Sequence, residues 1–328
     1  MNILITDNTH PVLRERFEEA GFLCDVVTDC TYDSLLSAMP RYDAMVVRSK
    51  IVIDRNFIDR MGSRCRVIGR VGAGMETIDV DYAESRGVRC LNSPEGNRDA
   101  VGEHATALLL ALFDKIAVAD AEVRKGLWHR EANRGLEVKG KTVGIIGFGN
   151  MGAAFAQRLR GFECRVVAYD KYRPAHCVAN FERMKDFVTE CSLEELRQCS
   201  DVLSLHVPLT DETHYMVDAG FVDAFAKPFY LINTSRGPVV KTADLAAAMQ
   251  KGRVLGAALD VMEYEDMSKD GLDLDSLPPD FKYLLQHPRT VLTPHVGGWT
   301  VESKYKLAAV LAEKMVAELE RKEPIANS

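Results

Sequence analysis

The sequence has no C-x-x-C pair: its eight cysteines (Cys24, Cys30, Cys65, Cys90, Cys164, Cys177, Cys191 and Cys199) are scattered. That spacing argues against a zinc site and against a disulfide framework, so no metal is expected. Free thiols within apolar strands act as small hydrophobes, and a reducing cytoplasm is the simple reading. Long apolar runs are lacking too. The longest mostly apolar stretch, residues 105–113, is far short of the roughly 18 residues that span a bilayer. The first residues, Met1-Asn2-Ile3-Leu4-Ile5-Thr6-Asp7, hold no basic segment followed by an apolar core, so neither a secretory signal nor a membrane partner is expected. Nor is there an excess of basic charge. Lys plus Arg is 41 and Asp plus Glu is 48, for a net charge of −7. A nucleic-acid partner is not expected, because neutralising phosphates needs a basic surface.

What is present is an ordinary globular composition, 47% hydrophobic and 27% charged over 328 residues. At roughly 150 residues per domain, two domains are expected. Up to residue 95, strand-like stretches (2–6, 23–28, 44–48, 65–71, 88–91) alternate with helical ones near 11–20, 32–39, 54–61 and 79–86. That alternation predicts a parallel sheet covered by helices. The turn formers Asn92-Ser93-Pro94-Glu95-Gly96-Asn97 mark a junction. One long helix is predicted over 99–123, with Asp99 as its cap. Its apolar face is widened by Leu109, Leu110 and Phe113, so it should be covered on more than one side. A second alternating series follows, with strands predicted at 142–147, 164–170, 201–207, 229–234, 254–260 and 290–294. From Thr300 an amphipathic helix is expected to pack back on the first domain.

In the second series, Gly147, Gly149 and Gly152 form G-x-G-x-x-G between an apolar strand and a helix. Such glycines permit the tight turn, the close approach of a pyrophosphate, and helix–strand packing. The helix N-terminus offers N–H groups to the anion. Asp170 ends the next strand, about where a ribose-binding acid is expected. An acid there repels a 2′-phosphate and favours NAD, while Lys171 and Arg173 nearby keep NADP open. Other predicted strands also end in polar groups: His206, Arg236, Asp260 and His295. In open parallel sheets ligands bind beyond these ends. Four such residues on one edge point to a reaction site; His206 alone reads rather as a pocket-wall or packing histidine.

These motifs, with Asn233-Thr234-Ser235-Arg236-Gly237, Leu259-Asp260-Val261, Thr293-Pro294-His295-Val296-Gly297-Gly298, Arg70-Val71-Gly72-Ala73-Gly74 and Asn92-Ser93-Pro94, resemble the D-isomer-specific 2-hydroxyacid dehydrogenases. The similarity runs in order through nearly the whole chain. It implies an α/β protein of two doubly wound parallel-sheet domains. A flavodoxin-like substrate domain would be formed by 1–96 plus 298–328, and a Rossmann NAD-binding domain by 97–297. It implies a catalytic trio of Arg236, Glu265 and His295, with Glu263 as a competitor for the acid. It implies cofactor contacts from Gly147, Phe148, Gly149, Asn150, Met151, Gly152, Asp170, His206, Val207, Pro208, Thr213, Thr234, Ser235, Arg236, Asp260, His295 and Gly297. Substrate contacts would come from Arg48, Ser49, Val71, Gly72, Ala73, Arg236 and His295. The chemistry suits these residue types. Histidine exchanges protons near neutrality, a carboxylate can orient its ring, and the fork of Arg236 suits a substrate carboxylate.

Arg48-Ser49-Lys50 resembles the basic cluster by which phosphoglycerate dehydrogenases hold a substrate phosphate. A salt bridge is an equal reading for Lys50. The implied reaction is NAD-dependent interconversion of a D-2-hydroxy acid and its 2-keto acid, with 3-phosphoglycerate as the leading substrate. The short type, without a C-terminal regulatory domain, is expected. A glyoxylate, hydroxypyruvate or general 2-keto-acid reductase is the alternative, and an NAD-sensing scaffold of the corepressor type is another. The family implies a homodimer through 99–128; the helix could equally be buried within one chain. Three departures stand out. Asp266 follows Glu265 where Pro is common, and Trp299 replaces a small residue. The stretch 263–280 holds seven acids (Glu263, Glu265, Asp266, Asp270, Asp273, Asp275, Asp280) and one base, Lys269, so most of the net charge of −7 lies there.

Overall fold

The computed structural model describes residues 1–265, 271 and 273–321, so Asp266, Lys269 and Asp270 lie outside the described residues. Two compact units divide the chain: Met1–Asn97 with the segment from Trp299 onward, and Arg98–Gly298.

The first unit holds β1 (Asn2–Ile5), α1 (Val12–Glu19), β2 (Leu23–Val26), α2 (Tyr32–Ala38), β3 (Ala44–Val47), α3 (Arg55–Arg60), β4 (Val67–Arg70), α4 (Val80–Ser85) and β5 (Arg89–Asn92). The five strands are all parallel, in the order β2-β1-β3-β4-β5. This is the flavodoxin-like order, with its reversal between β1 and β3. Every residue of β3, Ala-Met-Val-Val, is buried, as expected of a parallel strand covered on both faces. Side-chain caps start the helices: Thr31 takes the Ser34 N–H, Asp54 that of Phe57, and Asp79 that of Tyr82. A C-terminal helix, Val301–Leu319, opens on a Thr300–Ser303 capping box. It lies on this same sheet. The Met315 sulfur fills the space that a side chain on Gly69 of β4 would need, and Lys314 donates to Asn92 O at 3.0 Å.

The second unit holds α5 (Arg98–Phe113), α6 (Ile116–Arg124), β6 (Thr142–Ile146), α7 (Asn150–Leu159), β7 (Arg165–Tyr169), α8 (Ala175–Met184), β8 (Val188–Glu190), α9 (Leu193–Cys199), β9 (Val202–Leu205), α10 (Ala219–Asp223), β10 (Phe229–Asn233), α11 (Thr242–Gln250), β11 (Val254–Leu259), α12 (Pro279–Gln286) and β12 (Thr290–Leu292). Its seven strands are parallel, in the order β12-β11-β10-β9-β6-β7-β8. The reversal falls between β6 and β9, which opens a crevice beyond their carboxyl ends.

Two expectations need correction. The helix predicted over 99–123 is two helices. Lys115 adopts φ 52° and ψ 34°, in the left-handed region, and the Phe113 carbonyl accepts the Leu136 N–H instead of continuing the helix. Periodicity alone does not register a carbonyl captured from 23 residues downstream. Cover differs as well: α5 has eight buried residues and α6 has none. The edge strand β8 had no sequence signal, being three residues long with two exposed.

Met315 is fully buried between the C-terminal helix and the sheet. Met315→Ala should destabilise the protein by about 2–5 kcal/mol, the range for deleting a buried aliphatic side chain. Urea unfolding followed by circular dichroism would measure it. A change below about 0.5 kcal/mol, the size of ordinary surface substitutions, would show that the helix does not seal this core.

Candidate active site

The glycine turn follows β6. Gly147 has φ 89°, and a Cβ on it would stand 2.4 Å from His206 O. A Cβ on Gly152 would stand 2.0 Å from Gly147 O. Packing therefore dictates the first and third glycines. Gly149 differs: the nearest atom to its notional Cβ is His176 Nε2, at 3.6 Å. The space over the α7 N-terminus, where Asn150 and Met151 begin the helix, is thus open to an anion. A dinucleotide pyrophosphate fits this cradle. Asp170, just past β7, accepts the Phe148 N–H at 2.7 Å and the Tyr172 N–H at 3.0 Å. Its carboxylate is thereby fixed beside the turn. Phe148 itself points into the core, stacked on Phe181 with centroids 4.4 Å apart. Sequence reasoning missed Asn180 on α8. Its amide donates to Phe148 O at 3.2 Å and Gly149 O at 3.1 Å, bracing the turn from below. No motif marks it, because it acts through backbone carbonyls.

Four neighbouring strands, β9, β10, β11 and β12, deliver the polar residues to one edge. Past β9 comes His206, whose Nε2 lies 2.8 Å from Ser204 Oγ and whose Nδ1 lies 3.4 Å from Thr234 Oγ1. Burial pushes its pKa down to about 3, so the ring is neutral near pH 7 and exchanges no proton there. Val207 and Pro208 follow it, and Thr213 Oγ1 donates to Pro208 O at 2.6 Å, closing this loop. Past β10 the buried Asn233 side chain accepts from Ser235 N at 3.0 Å and Ser235 Oγ at 2.7 Å, and donates to Arg236 O at 3.0 Å. This turn accounts for the order Asn-Thr-Ser-Arg: it reverses the chain so that Arg236 emerges at the strand's end.

Past β11, Asp260 is 2% exposed. Past β12, His295 has φ 55°, and its N–H donates to Asp260 O at 2.7 Å. His295 Nδ1 lies 3.0 Å from Glu265 Oε1. An ionised Glu265 only accepts, so this contact assigns a proton to Nδ1 and leaves Nε2 for exchange. Glu263 is occupied elsewhere. Partial burial would raise its pKa, but hydrogen bonds from Tyr215 and from the Thr242 N–H hold its carboxyl below the usual range. Gly297 N donates to Asp260 Oδ2 at 2.8 Å.

In the first unit, Arg48 and Ser49 follow β3, and Val71, Gly72 and Ala73 follow β4. The Arg48 guanidinium lies over the Trp299 ring, 5.6 Å from its centroid, and no described carboxylate pairs with it. Lys50 is 3.6 Å from Asp7, a buried acid after β1, so the salt-bridge reading describes Lys50. Ala73 O accepts from Asn92 at 2.6 Å, which pins the turn. Among the described residues, no group of three or more His, Cys, Asp or Glu is placed to hold a metal, and no helix is long and apolar enough to cross a membrane.

Residues 106–297 match the family domain described as "D-isomer specific 2-hydroxyacid dehydrogenase, NAD binding domain". The chain is 33% identical to a D-3-phosphoglycerate dehydrogenase of Archaeoglobus fulgidus, over 96% of this chain and 57% of that protein. It is also 33% identical to a hydroxypyruvate reductase of Thermotoga maritima, over 88% of each. The chain thus spans about half the length of the phosphoglycerate dehydrogenases it matches. A solved structure from Thermus thermophilus is similar over 99% of both chains, with 30% identity and a TM-score of 0.79. Fold, glycine turn and sequence relatives agree: the chain belongs to the D-isomer-specific 2-hydroxyacid dehydrogenases, a family of NAD-dependent oxidoreductases, and carries that family's NAD-binding domain.

Proposed function

We propose that this protein interconverts a D-2-hydroxy acid and its 2-keto acid, and that the preferred pair is 3-phosphoglycerate and 3-phosphohydroxypyruvate. The 3.0 Å contact between Glu265 and His295 carries the reaction class. When bound, NADH supplies the hydride to the keto carbon. His295 Nε2 would give its proton to the carbonyl oxygen, which becomes the hydroxyl, and the Glu265 carboxylate would stabilise the cationic ring beforehand. Arg236 holds the substrate carboxylate and polarises the carbonyl. Asp170 takes the adenosine ribose, the glycine turn takes the pyrophosphate, and His206, Thr234 and Asp260 frame the nicotinamide. In the first unit, the N–H groups of residues 71–73 are assigned to the carboxylate and Arg48 to the phosphate. The unneutralised guanidinium of Arg48 supports the phosphorylated substrate. The 33% identity to the Thermotoga hydroxypyruvate reductase, over 88% of each chain, supports an unphosphorylated one, as a second reading.

We also assign a homodimer. Ile116, Val123, Leu127 and Trp128 of α6 and its exit expose 54%, 52%, 41% and 75% of their surfaces, an apolar patch of the kind that marks association. All eight cysteines are free thiols, which supports a reducing cytoplasm.

His295→Ala should lower kcat by about 10²-fold or more while the NADH Kd, read by fluorescence titration, stays unchanged; full turnover would remove His295 from proton exchange. The substrate is settled by kcat/KM for 3-phosphohydroxypyruvate against hydroxypyruvate. Arg48→Ala should abolish a preference of about tenfold or more, one charge-assisted phosphate contact. Equal rates for both substrates before and after the change would favour the hydroxypyruvate reading. For the dimer, Trp128→Glu with Ile116→Glu should yield a monomer in sedimentation velocity, and an unaltered sedimentation coefficient would refute the interface.

A further inference from the structure

The loop that carries His295 is wrapped around one carboxylate. Asp260 Oδ1 accepts from Thr293 Oγ1 at 2.6 Å and from Val296 N at 2.9 Å. Oδ2 accepts from Gly297 N at 2.8 Å, and the Asp260 carbonyl accepts the His295 N–H at 2.7 Å. Residues 293 to 297 thus close on a single aspartate. The backbone of His295 needs this, because φ 55° in a non-glycine residue persists only where the surroundings over-determine it.

One more group reaches this network, and it comes from another element. His104, on α5, places Nε2 3.0 Å from Thr293 Oγ1 and 3.2 Å from Asp260 Oδ1. The Thr293 hydroxyl gives its proton to Asp260, so its oxygen accepts from His104, and Nε2 carries the hydrogen. The ring also lies beside the far end of the loop. A Cβ on Gly297 would stand 3.3 Å from His104 Cδ2. His104 therefore meets the segment at Thr293 and lies beside Gly297 at its other end, with His295 between them.

We propose that His104 is a positioning residue for His295: from α5 it fixes Thr293, Asp260 and Gly297, and through them sets the alignment of the His295 ring with Glu265. The proposal rests on the reading of His295 as the proton-exchanging group. It treats α5 as part of the reacting machinery rather than as mere cover for the sheet.

The test uses the full-length protein with His104→Ala, His104→Gln and Thr293→Val. His104→Ala should lower kcat about tenfold, the size of a small misplacement of a catalytic group, with the keto-acid KM changed less than about twofold. The limb of the kcat–pH profile that reports the proton-exchanging group should move. His104→Gln can present an amide N–H at the position of Nε2 and should restore most of kcat. An NMR titration of the His295 ring gives a readout that does not depend on turnover. It should shift in His104→Ala and return in His104→Gln. A shifted titration in a protein inactive on every 2-keto acid would uphold the positioning and defeat the proposed reaction. A lowered Tm with an unmoved His295 titration and an unmoved pH limb would overturn the proposal, leaving His104 a packing residue. Should His104→Ala fail to fold, Thr293→Val removes the shared hydroxyl and should reproduce the shift; an unmoved titration there overturns the proposal equally.

Discussion

A carboxylate taken out of water must be given donors, and the chemistry-bearing edge of the second unit is arranged around that demand. Asp260 is 2% exposed. Burial by itself would raise its pKa, but hydrogen bonds from His104, Thr293 and the Val296 and Gly297 N–H groups outweigh it and hold the carboxyl below its ordinary value. The group stays ionised, and its donors are therefore held. The sign of the linkage follows. This set stabilises the fold above the usual carboxylate pKa, and the contribution is lost as pH falls through the lowered folded value. Because the donors come from α5, from the end of β12 and from the loop beyond it, one ionised oxygen pair ties three segments to the end of β11.

The same edge separates two histidines by environment. Both follow strands of one parallel sheet, and a bare sequence treats them alike. His206 sits between the hydroxyls of Ser204 and Thr234, and burial keeps it neutral. His295 faces Glu265. A ring that must alternate between neutral and cationic forms needs a nearby anion to make the cation affordable, whereas a ring meant to present a fixed surface is better without one. The two environments therefore differ in the way the proposed reaction requires, with an acid beside His295 and hydroxyls beside His206.

Much of this was legible in the sequence, for definite reasons. G-x-G-x-x-G is dictated by backbone clearances of 2.0 Å and 2.4 Å at Gly152 and Gly147, and few other turns demand glycine at that spacing. Strand ends were legible because parallel strands read as continuous apolar runs that stop at a polar residue, as Leu231-Ile232-Asn233 does. Other features were hidden. The break at Lys115 depends on the Leu136 N–H capturing the Phe113 carbonyl. His104 reaches Thr293 across 189 residues of sequence, and Asn180 works through main-chain oxygens. In each case the deciding partner is remote in sequence, and periodicity and propensity hold no information about it.

The basic cluster after β3 shows why counting charges overstates a binding site. Arg48 and Lys50 are two residues apart, and from composition each offers one positive charge to an anion. Lys50, however, is 3.6 Å from Asp7, whose side chain is 7% exposed. An incoming phosphate would have to compete with this carboxylate for that ammonium. Trp299 makes no such claim on Arg48. An aromatic face attracts a guanidinium through its quadrupole and leaves the net charge intact, and stacking also limits the rotamers of the long side chain. On the proposed function, recognition of the substrate's phosphate therefore rests on one guanidinium set over an indole. A single contact of that kind can discriminate by about one to two powers of ten.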